Sequence, residues 1–281
     1  MAKNEKLFDM FSPTTTQEWM DKITVDLKGA DFDKKLVWRT NEGFNVKPFY
    51  RREDVEGLGH IGTMPGQFPY VRGTKTNNDW LIRQEINGSS AEEINREARL
   101  AIDRGVDSIG IYFAKDITAQ ELDIILADID LKKVELNITC CMGSADNIAT
   151  LVANYIKSKG LENDFRGSID FNPFKRLLVH GMEFPKDMIL EKGMAIYKTV
   201  KDIPNFKCFA VDSYMLNNAG AYITQELGYA LAWGAEWMTL FTDKGLTPCE
   251  VASRIKFNMG ISSNYFMEIA KFRAARMLWL R

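Results

Sequence analysis

The chain has 281 residues, of which 46% are hydrophobic and 26% charged. This composition is typical of a globular protein and excludes a disordered or low-complexity chain. Its 36 basic and 38 acidic residues give a net charge of −2, so there is no basic excess for binding nucleic acid. No apolar run is long enough to cross a membrane.

The chain start and the cysteines indicate a cytoplasmic protein. Residues 1–5 carry no apolar segment of a signal peptide. The four cysteines include one adjacent pair, and neither this spacing nor the two histidines fit a disulfide framework or a structural zinc site. We therefore expect reduced thiols and no bound metal.

Residues 1–79 are predicted to form an N-terminal arm and linker. Thr hydroxyls in residues 14–19 can cap the start of a helix. Residues 36–40 and 44–47 flank a turn containing glycine and predict a β-hairpin. Residues 57–73 hold five glycines and two prolines, which indicates an extended loop.

Residues 80–281 alternate short apolar runs with longer helical patterns. Strands are predicted at residues 80–86, 106–113, 134–140, 167–171, 206–211 and 255–259. Helices are predicted at residues 91–104, 118–128, 146–159, 186–200, 221–242 and 262–280. This alternation predicts an α/β domain with a parallel sheet, either doubly wound or part of a (β/α)8 barrel. Only six of the eight barrel strands are visible, so the barrel interpretation implies truncation after about six βα units.

Two features of the sequence were considered as signs of a cofactor-binding or catalytic site. Gly57, Gly59 and Gly62 match a dinucleotide-binding pattern, but an acidic turn precedes them where a strand is required, so we interpret them as a linker. His60 and His180 are the only histidines. His180 follows an apolar run and is interpreted as a loop residue, and nothing supports a catalytic triad.

Carboxylates follow two of the predicted strands. Asp170 and Asp212 fall at carboxyl-terminal strand ends, where parallel α/β folds place their chemistry. A carboxylate pair for hydrolysis is one interpretation. Capping of strand-to-helix loops by these side chains is the favoured one.

Several stretches, in the same order along the chain, resemble the methylmalonyl-CoA mutase family. The most specific are the strand Trp80-Leu81-Ile82-Arg83-Gln84 and residues 266–276. The resemblance covers nearly the whole chain. It implies a (β/α)8 barrel that binds acyl-CoA, a further domain that binds adenosylcobalamin, and a radical rearrangement of methylmalonyl-CoA and succinyl-CoA. In two-subunit versions the large subunit is catalytic and the small one is its non-catalytic relative.

Three departures from the family pattern place the chain with the non-catalytic relatives. Tyr214 and Met215 stand where the family has Tyr-His, and a thioether cannot donate the hydrogen bond of that histidine. The loop at residues 72–80 lacks the family's tyrosine. Arg176 is the arginine nearest the loop that holds the substrate carboxylate, but its surroundings do not match.

The resemblance therefore implies no catalytic, metal or cofactor residues in this chain. The cobalamin signature Asp-x-His-x-x-Gly is absent from the sequence, since Leu58 stands where the aspartate would precede His60. Four residues are predicted to be vestigial substrate-binding positions: Arg83, Gln84, Tyr214 and Met215. Bulky residues in the strands also predict a more filled barrel interior than that of the catalytic members.

The predicted role is structural, with a catalytic large subunit as partner and adenosylcobalamin in the full complex. The sequence leaves open whether the chain has an active site of its own. One alternative is a barrel that binds acyl-CoA or another small molecule. A less favoured alternative is an independent TIM-barrel hydrolase that uses Asp170 and Asp212.

Overall fold

The computed structural model describes residue 8 and residues 10–280. Residues 1–5, on which the expectation of no signal peptide rests, lie outside the described residues. The chain divides into two compact units, Met1–Thr63 and Met64–Arg281.

The first unit consists of short elements without a core of their own. It contains α1 (Thr16–Asp26), α2 (Phe32–Leu36), an antiparallel hairpin of β1 (Trp38–Arg39) with β2 (Asn45–Val46), and a 3₁₀ turn at Arg52–Val55. A capping box starts α1, because Thr15 accepts a hydrogen bond from the Glu18 amide and the Glu18 carboxylate accepts one from the Thr15 amide. No described residue of this unit is fully buried.

The second unit is built on a six-stranded parallel sheet whose spatial order, β3-β4-β5-β6-β7-β8, follows the chain. The predicted α/β fold with a parallel sheet is thereby confirmed. The strands are β3 (Arg83–Ile86), β4 (Ser108–Phe113), β5 (Glu135–Cys140), β6 (Gly167–Phe171), β7 (Phe206–Val211) and β8 (Ile255–Phe257).

Nine helices connect and follow these strands in the described part of the second unit. They are α3 (Ala91–Asp103), α4 (Ala119–Ile125), α5 (Ala145–Ser158), α6 (Pro173–His180), α7 (Lys186–Val200), α8 (Tyr214–Asn218), α9 (Ile223–Thr242), α10 (Pro248–Ala252) and α11 (Tyr265–Trp279). Each long helix covers the sheet with an apolar face, which is how a parallel sheet excludes water from its surface.

The hydrophobic core lies between the sheet and these helices. Alternate residues of each strand point toward the helices and are almost fully buried, as Ile109 and Ile111 are in β4. On β7, the Phe209 ring stacks on Trp237 of α9 with 5.2 Å between ring centroids. The Trp237 indole donates to the Ala210 carbonyl at 3.0 Å, so the one polar atom of this side chain is satisfied in the core.

The opposite face of the sheet carries small and polar side chains. Strand alternation points Ser108 and Gly110 of β4, Asn137 of β5, Ser168 of β6 and Ala210 of β7 to this face. Longer side chains reach this face as well, because the Glu85 carboxylate of β3 packs over Gly110 and Lys256 of β8 extends to Asn137, so a filled interior stays a prediction. The bulky residues of these strands are the ones that point outward to the helices.

The sheet is strongly curved. Lys256 of β8 donates to the Asn137 side chain of β5 at 2.9 Å, although the two strands are three positions apart in the sheet. In a flat sheet that separation would be about 14 Å. The polar face is therefore concave, and its two ends approach each other.

One histidine lies in a helix where the sequence predicted a loop. His180 is the last residue of α6. Asn172 caps this helix by accepting from the Lys175 amide, Pro173 occupies its first turn, and Gly181 ends it with a positive φ of 64°. The capping residues at its two ends favour a helix here, although the segment is too short to show a helical pattern of apolar residues.

We predict that Gly193→Ala in α7 destabilises the second unit. The Phe241 ring packs so closely against Gly193 that a methyl group there would overlap it. Overpacking of this kind costs about 1–3 kcal/mol. Urea unfolding should show the loss. The matched control is Gly228→Ala in α9, which has nothing within 4 Å and should gain about 0.5–1 kcal/mol from helix propensity. Equal effects of the two substitutions would contradict this packing.

Candidate functional site

The candidate site is a pocket at the carboxyl-terminal end of the sheet, here called the mouth pocket. It consists of two adjoining cavities of about 360 and 600 Å³. Five residues line both cavities: Tyr112, Thr139, Asp170, Lys175 and Asp212. These residues lie in the last residues of β4 to β6 or just after β6 and β7, so the pocket lies where parallel α/β proteins place their functional groups.

Asp212 is the most constrained carboxylate of the mouth pocket. It is 2% exposed. It accepts hydrogen bonds from the amide groups of Asn172 at 2.9 Å and Asn258 at 2.7 Å, and it forms an ion pair with Lys175 at 3.4 Å. Because each oxygen accepts a hydrogen bond, this carboxylate is held in place.

Lys175 joins the ends of β6 and β7. Its ammonium donates to the Tyr214 hydroxyl at 2.9 Å and lies beside Asp212. Burial opposes the charged form, but the hydrogen bond to Tyr214 and the charge of Asp212 outweigh it and raise the pKa of Lys175. The lysine is therefore a permanent cation whose charge is already matched within the chain.

Asp170 behaves differently from Asp212. It is 9% exposed, and burial raises the pKa of its carboxyl, an effect that Lys256 at 3.7 Å partly offsets. Both carboxylates line the mouth pocket, as the hydrolase alternative requires. Each of them is engaged with neighbouring groups, Asp212 with Asn172, Asn258 and Lys175, and Asp170 with Lys256.

The pKa values of the two adjacent thiols at the end of β5 are shifted in opposite directions. The Cys141 sulfur lies just before α5, 3.4 Å from the Ser144 hydroxyl oxygen, and hydrogen bonding with Ser144 lowers the pKa of this thiol. Burial raises the pKa of Cys140 to about 12. Sequence reasoning gave no role to this pair, although thiols at a helix start are a known signal for altered reactivity.

The structure brings together only part of the predicted substrate-binding set. Arg83 and Tyr214 line the larger cavity of the mouth pocket. Arg83 also forms an ion pair with Glu85 at 2.7 Å. Gln84 follows Arg83 on β3 and so points to the opposite face of the sheet. Met215 packs against the hydrophobic core and does not line the pocket.

A buried ion cluster supports the two loops that carry Tyr214 and Asn258. Lys271 of α11 is fully buried between Glu226, at 2.7 Å, and Glu268, at 2.5 Å. Glu226 also accepts from the Gly260 amide at 2.7 Å and from the Ser213 hydroxyl at 3.2 Å. Although burial opposes it, hydrogen bonds from Lys271 and Ser262 lower the pKa of Glu268. The cluster fixes the ends of β7 and β8 relative to α9 and α11.

Metal-ligating side chains are not grouped together in the described part of the chain. No group of three His, Cys, Asp or Glu side chains among residues 8 and 10–280 is placed to hold a metal ion. His60 and His180 lie in different units, and neither has an aspartate two residues before it or a glycine three residues after it, as the cobalamin signature requires. Within the same residues, no helix combines the length and apolarity needed to span a membrane.

Comparison with known proteins gives a consistent result. The family model described as methylmalonyl-CoA mutase matches residues 39–117 and 114–281. The methylmalonyl-CoA mutase small subunit of Porphyromonas gingivalis is 50% identical over 99% of this chain and 46% of its own length. The methylmalonyl-CoA mutase of Rhizobium meliloti is 31% identical over 95% of this chain, and the human mitochondrial enzyme is 30% identical over 93%. The chain spans 41% and 38% of those two relatives, less than half of each.

We predict that Lys271→Met sharply destabilises the second unit. Removing the ammonium leaves two carboxylates facing each other in a buried site, which costs about 3–5 kcal/mol. The free energy of unfolding in urea measures this loss. The control is Lys22→Met, which breaks an exposed pair with Asp26 and should change little. A small effect at Lys271 would show that the cluster does not support the loops.

We also predict that Cys141 reacts with iodoacetamide faster than an ordinary thiol at neutral pH, because a lowered pKa raises its thiolate fraction. Peptide mass spectrometry would follow each site. Ser144→Ala should slow the reaction at Cys141 and leave the exposed Cys249 unchanged. Cys140 and Cys208 have pKa values raised by burial to about 12 and should react only after unfolding. Equal rates at all four thiols would contradict the assignment.

Proposed function

The chain belongs to the methylmalonyl-CoA mutase family, and on this premise we propose that it is the N-terminal part of a mutase small subunit. In this proposal the assembled enzyme interconverts methylmalonyl-CoA and succinyl-CoA. This chain contributes structure, and a catalytic large subunit carries the chemistry.

One observation carries the proposed non-catalytic role. The resemblance assigns a substrate-contacting histidine to the position of Met215. Here the Met215 side chain packs against the core, away from the mouth pocket, and its thioether is at best a weak hydrogen-bond acceptor. One charged pair at the pocket supports the same conclusion, because Lys175 and Asp212 neutralise each other within the chain.

We propose that the sheet is six-eighths of a (β/α)8 barrel. Strand order that follows the chain, with a concave polar face, is the arrangement of such barrels, whereas doubly wound sheets reverse direction at a switch point. β3 and β8 are the edge strands of the sheet. Two further strands between these edges would close the barrel and protect their free backbone groups.

The first unit supports the proposed pairing with a large subunit. We propose that residues 1–79 act as an arm and linker and residues 80–281 as the barrel portion. In the arm, Trp19, Trp38 and Tyr50 are 48%, 46% and 56% exposed. Aromatic side chains exposed on a segment without a core are typical of a protein–protein contact.

Adenosylcobalamin, in this proposal, belongs to the assembled enzyme and is not held by residues of this chain. The two histidines do not fit its signature, so no step of the chemistry is assigned to residues here. We propose a cytoplasmic location, since all four cysteines are free thiols in the structure.

The second candidate function is binding of an acyl-CoA or another small anion. Arg176 lines the mouth pocket and, among the described residues, makes no ion pair. Calorimetry with methylmalonyl-CoA tests this alternative, with Arg83→Ala and Gln84→Ala as a matched pair. Only the Arg83 substitution should weaken binding, because Gln84 points to the other face of β3.

We predict that the full-length subunit containing this chain co-purifies with a mutase large subunit as a stoichiometric complex. Affinity capture followed by size-exclusion chromatography measures the stoichiometry. Replacement of Trp19 and Trp38 by alanine should weaken the complex because it removes exposed apolar area from the arm. Replacement of Tyr229, which is 64% exposed on α9, is the control and should leave the complex intact.

Elution of the large subunit alone, with full mutase activity, would contradict the proposed pairing. Mutase activity of the isolated chain with added adenosylcobalamin would contradict its non-catalytic role.

A further inference from the structure

Two neighbouring thiols reach the same cavity. Cys140 is the last residue of β5, and Cys141 is the first residue of the segment that leads to α5. Consecutive residues of a strand point to opposite faces of a sheet. The chain leaves the strand after Cys140, and both residues line the smaller cavity of the mouth pocket, of about 360 Å³. This cavity therefore has a pair of thiols in its wall, and the proposed function uses neither of them.

Cys141 is the nucleophile of the pair. Its sulfur lies 3.4 Å from the Ser144 hydroxyl oxygen. Hydrogen bonding with Ser144 and, to a smaller extent, the charge of Arg176 lower the pKa of Cys141. Burial raises the pKa of Cys140 to about 12, so this thiol stays protonated at neutral pH. Because the thiolate is the form that attacks a disulfide, exchange begins at Cys141.

A disulfide between these two consecutive residues would be strained. Consecutive Cα atoms are about 3.8 Å apart, whereas unstrained disulfides join Cα atoms about 4.4–6.8 Å apart. The protonated thiol of Cys140 is also a poor attacking group. A group attached to Cys141 through a disulfide bond is therefore not displaced by the neighbouring cysteine.

The cavity supplies a cation beside the reactive sulfur. Arg176 of α6 lines the same cavity, and its charge favours the thiolate of Cys141. The two carboxylates of the cavity, Asp170 and Asp212, are each paired with a lysine. Among the residues that the structure describes, Arg176 forms no ion pair, so its guanidinium can receive an incoming anion.

We infer that Cys141 is a site of mixed-disulfide formation with anionic thiols of low molecular weight, which Arg176 selects by their charge. The co-reactant is the symmetrical disulfide of such a thiol. The Cys141 thiolate attacks one sulfur of that disulfide, so a new S–S bond joins it to the protein and the original S–S bond breaks. The second half leaves as a thiolate and takes up a proton from water, while Cys140 remains a thiol. This inference does not depend on the proposed function, because every reacting protein atom lies in this chain.

The test measures disulfide exchange in the full-length subunit with two probes, the anionic glutathione disulfide and the neutral hydroxyethyl disulfide. Peptide mass spectrometry follows the mass added at each cysteine with time. We expect one glutathionyl group at Cys141, added about tenfold faster than at the exposed Cys249. Cys140 should carry neither a glutathionyl group nor a disulfide to its neighbour, and it should stay unmodified in Cys141→Ser.

Arg176→Ala tests the selection by charge. The ratio of the glutathione disulfide rate to the hydroxyethyl disulfide rate should fall about threefold to fivefold, the effect of losing one partly hydrated charge pair. The ratio isolates this effect, since a change in the thiolate fraction of Cys141 alters both rates alike. The matched control is Arg104→Ala, at an exposed arginine that ends α3 outside the cavity, and it should leave the ratio unchanged.

Three results would overturn the inference: a disulfide between Cys140 and Cys141 in place of the glutathionyl group, a reaction at Cys141 no faster than at Cys249, or an unchanged rate ratio in Arg176→Ala. If Arg176→Ala does not fold, as judged by circular dichroism, Arg176→Gln replaces it. The readout is an added mass and requires neither mutase activity nor a large subunit, so failure of the proposed function is detected separately.

Discussion

The arrangement of the second unit depends on the alternation of side chains along its parallel strands. In β4, Ile109 and Ile111 point to the helices while Ser108 and Gly110 point to the concave face. The first set builds the core between the sheet and the helices. The second set makes the interior small and polar, and the mouth pocket is where that interior opens at the strand ends.

A polar interior requires that each buried charge has a partner, and the partners fix the shape of the site. Lys256 joins β8 to β5 and β6, and Lys175 joins α6 to Asp212 after β7. Lys271 joins α11 to Glu226 of α9. Buried pairs contribute little net stability, but removing one partner is costly, so each pair constrains the geometry around it. Of these pairs, Lys175 with Asp212 lies at the mouth pocket, where it matches two charges within the chain, which agrees with a structural role.

The sequence predicted the six strands and the long helices because each is a continuous apolar or periodic segment. It missed α6, where the information lay in Asn172, Pro173 and Gly181 and not in periodicity. It named Arg83 and Tyr214, which line the larger cavity of the mouth pocket, but it placed Arg83 at the carboxyl end of a strand, whereas Arg83 begins β3. It could not place Lys256, whose partner Asn137 lies 119 residues away, because a contact of that kind exists only after the sheet has curved.

The most direct test of the central claim is the turnover of methylmalonyl-CoA by an assembled mutase in which only this chain carries Tyr214→Phe. The substitution removes the hydroxyl that Lys175 contacts in the mouth pocket and keeps the ring. If this chain is structural, kcat and KM should remain unchanged. A large fall in kcat with the complex still intact would show that the pocket takes part in the reaction and would contradict the account.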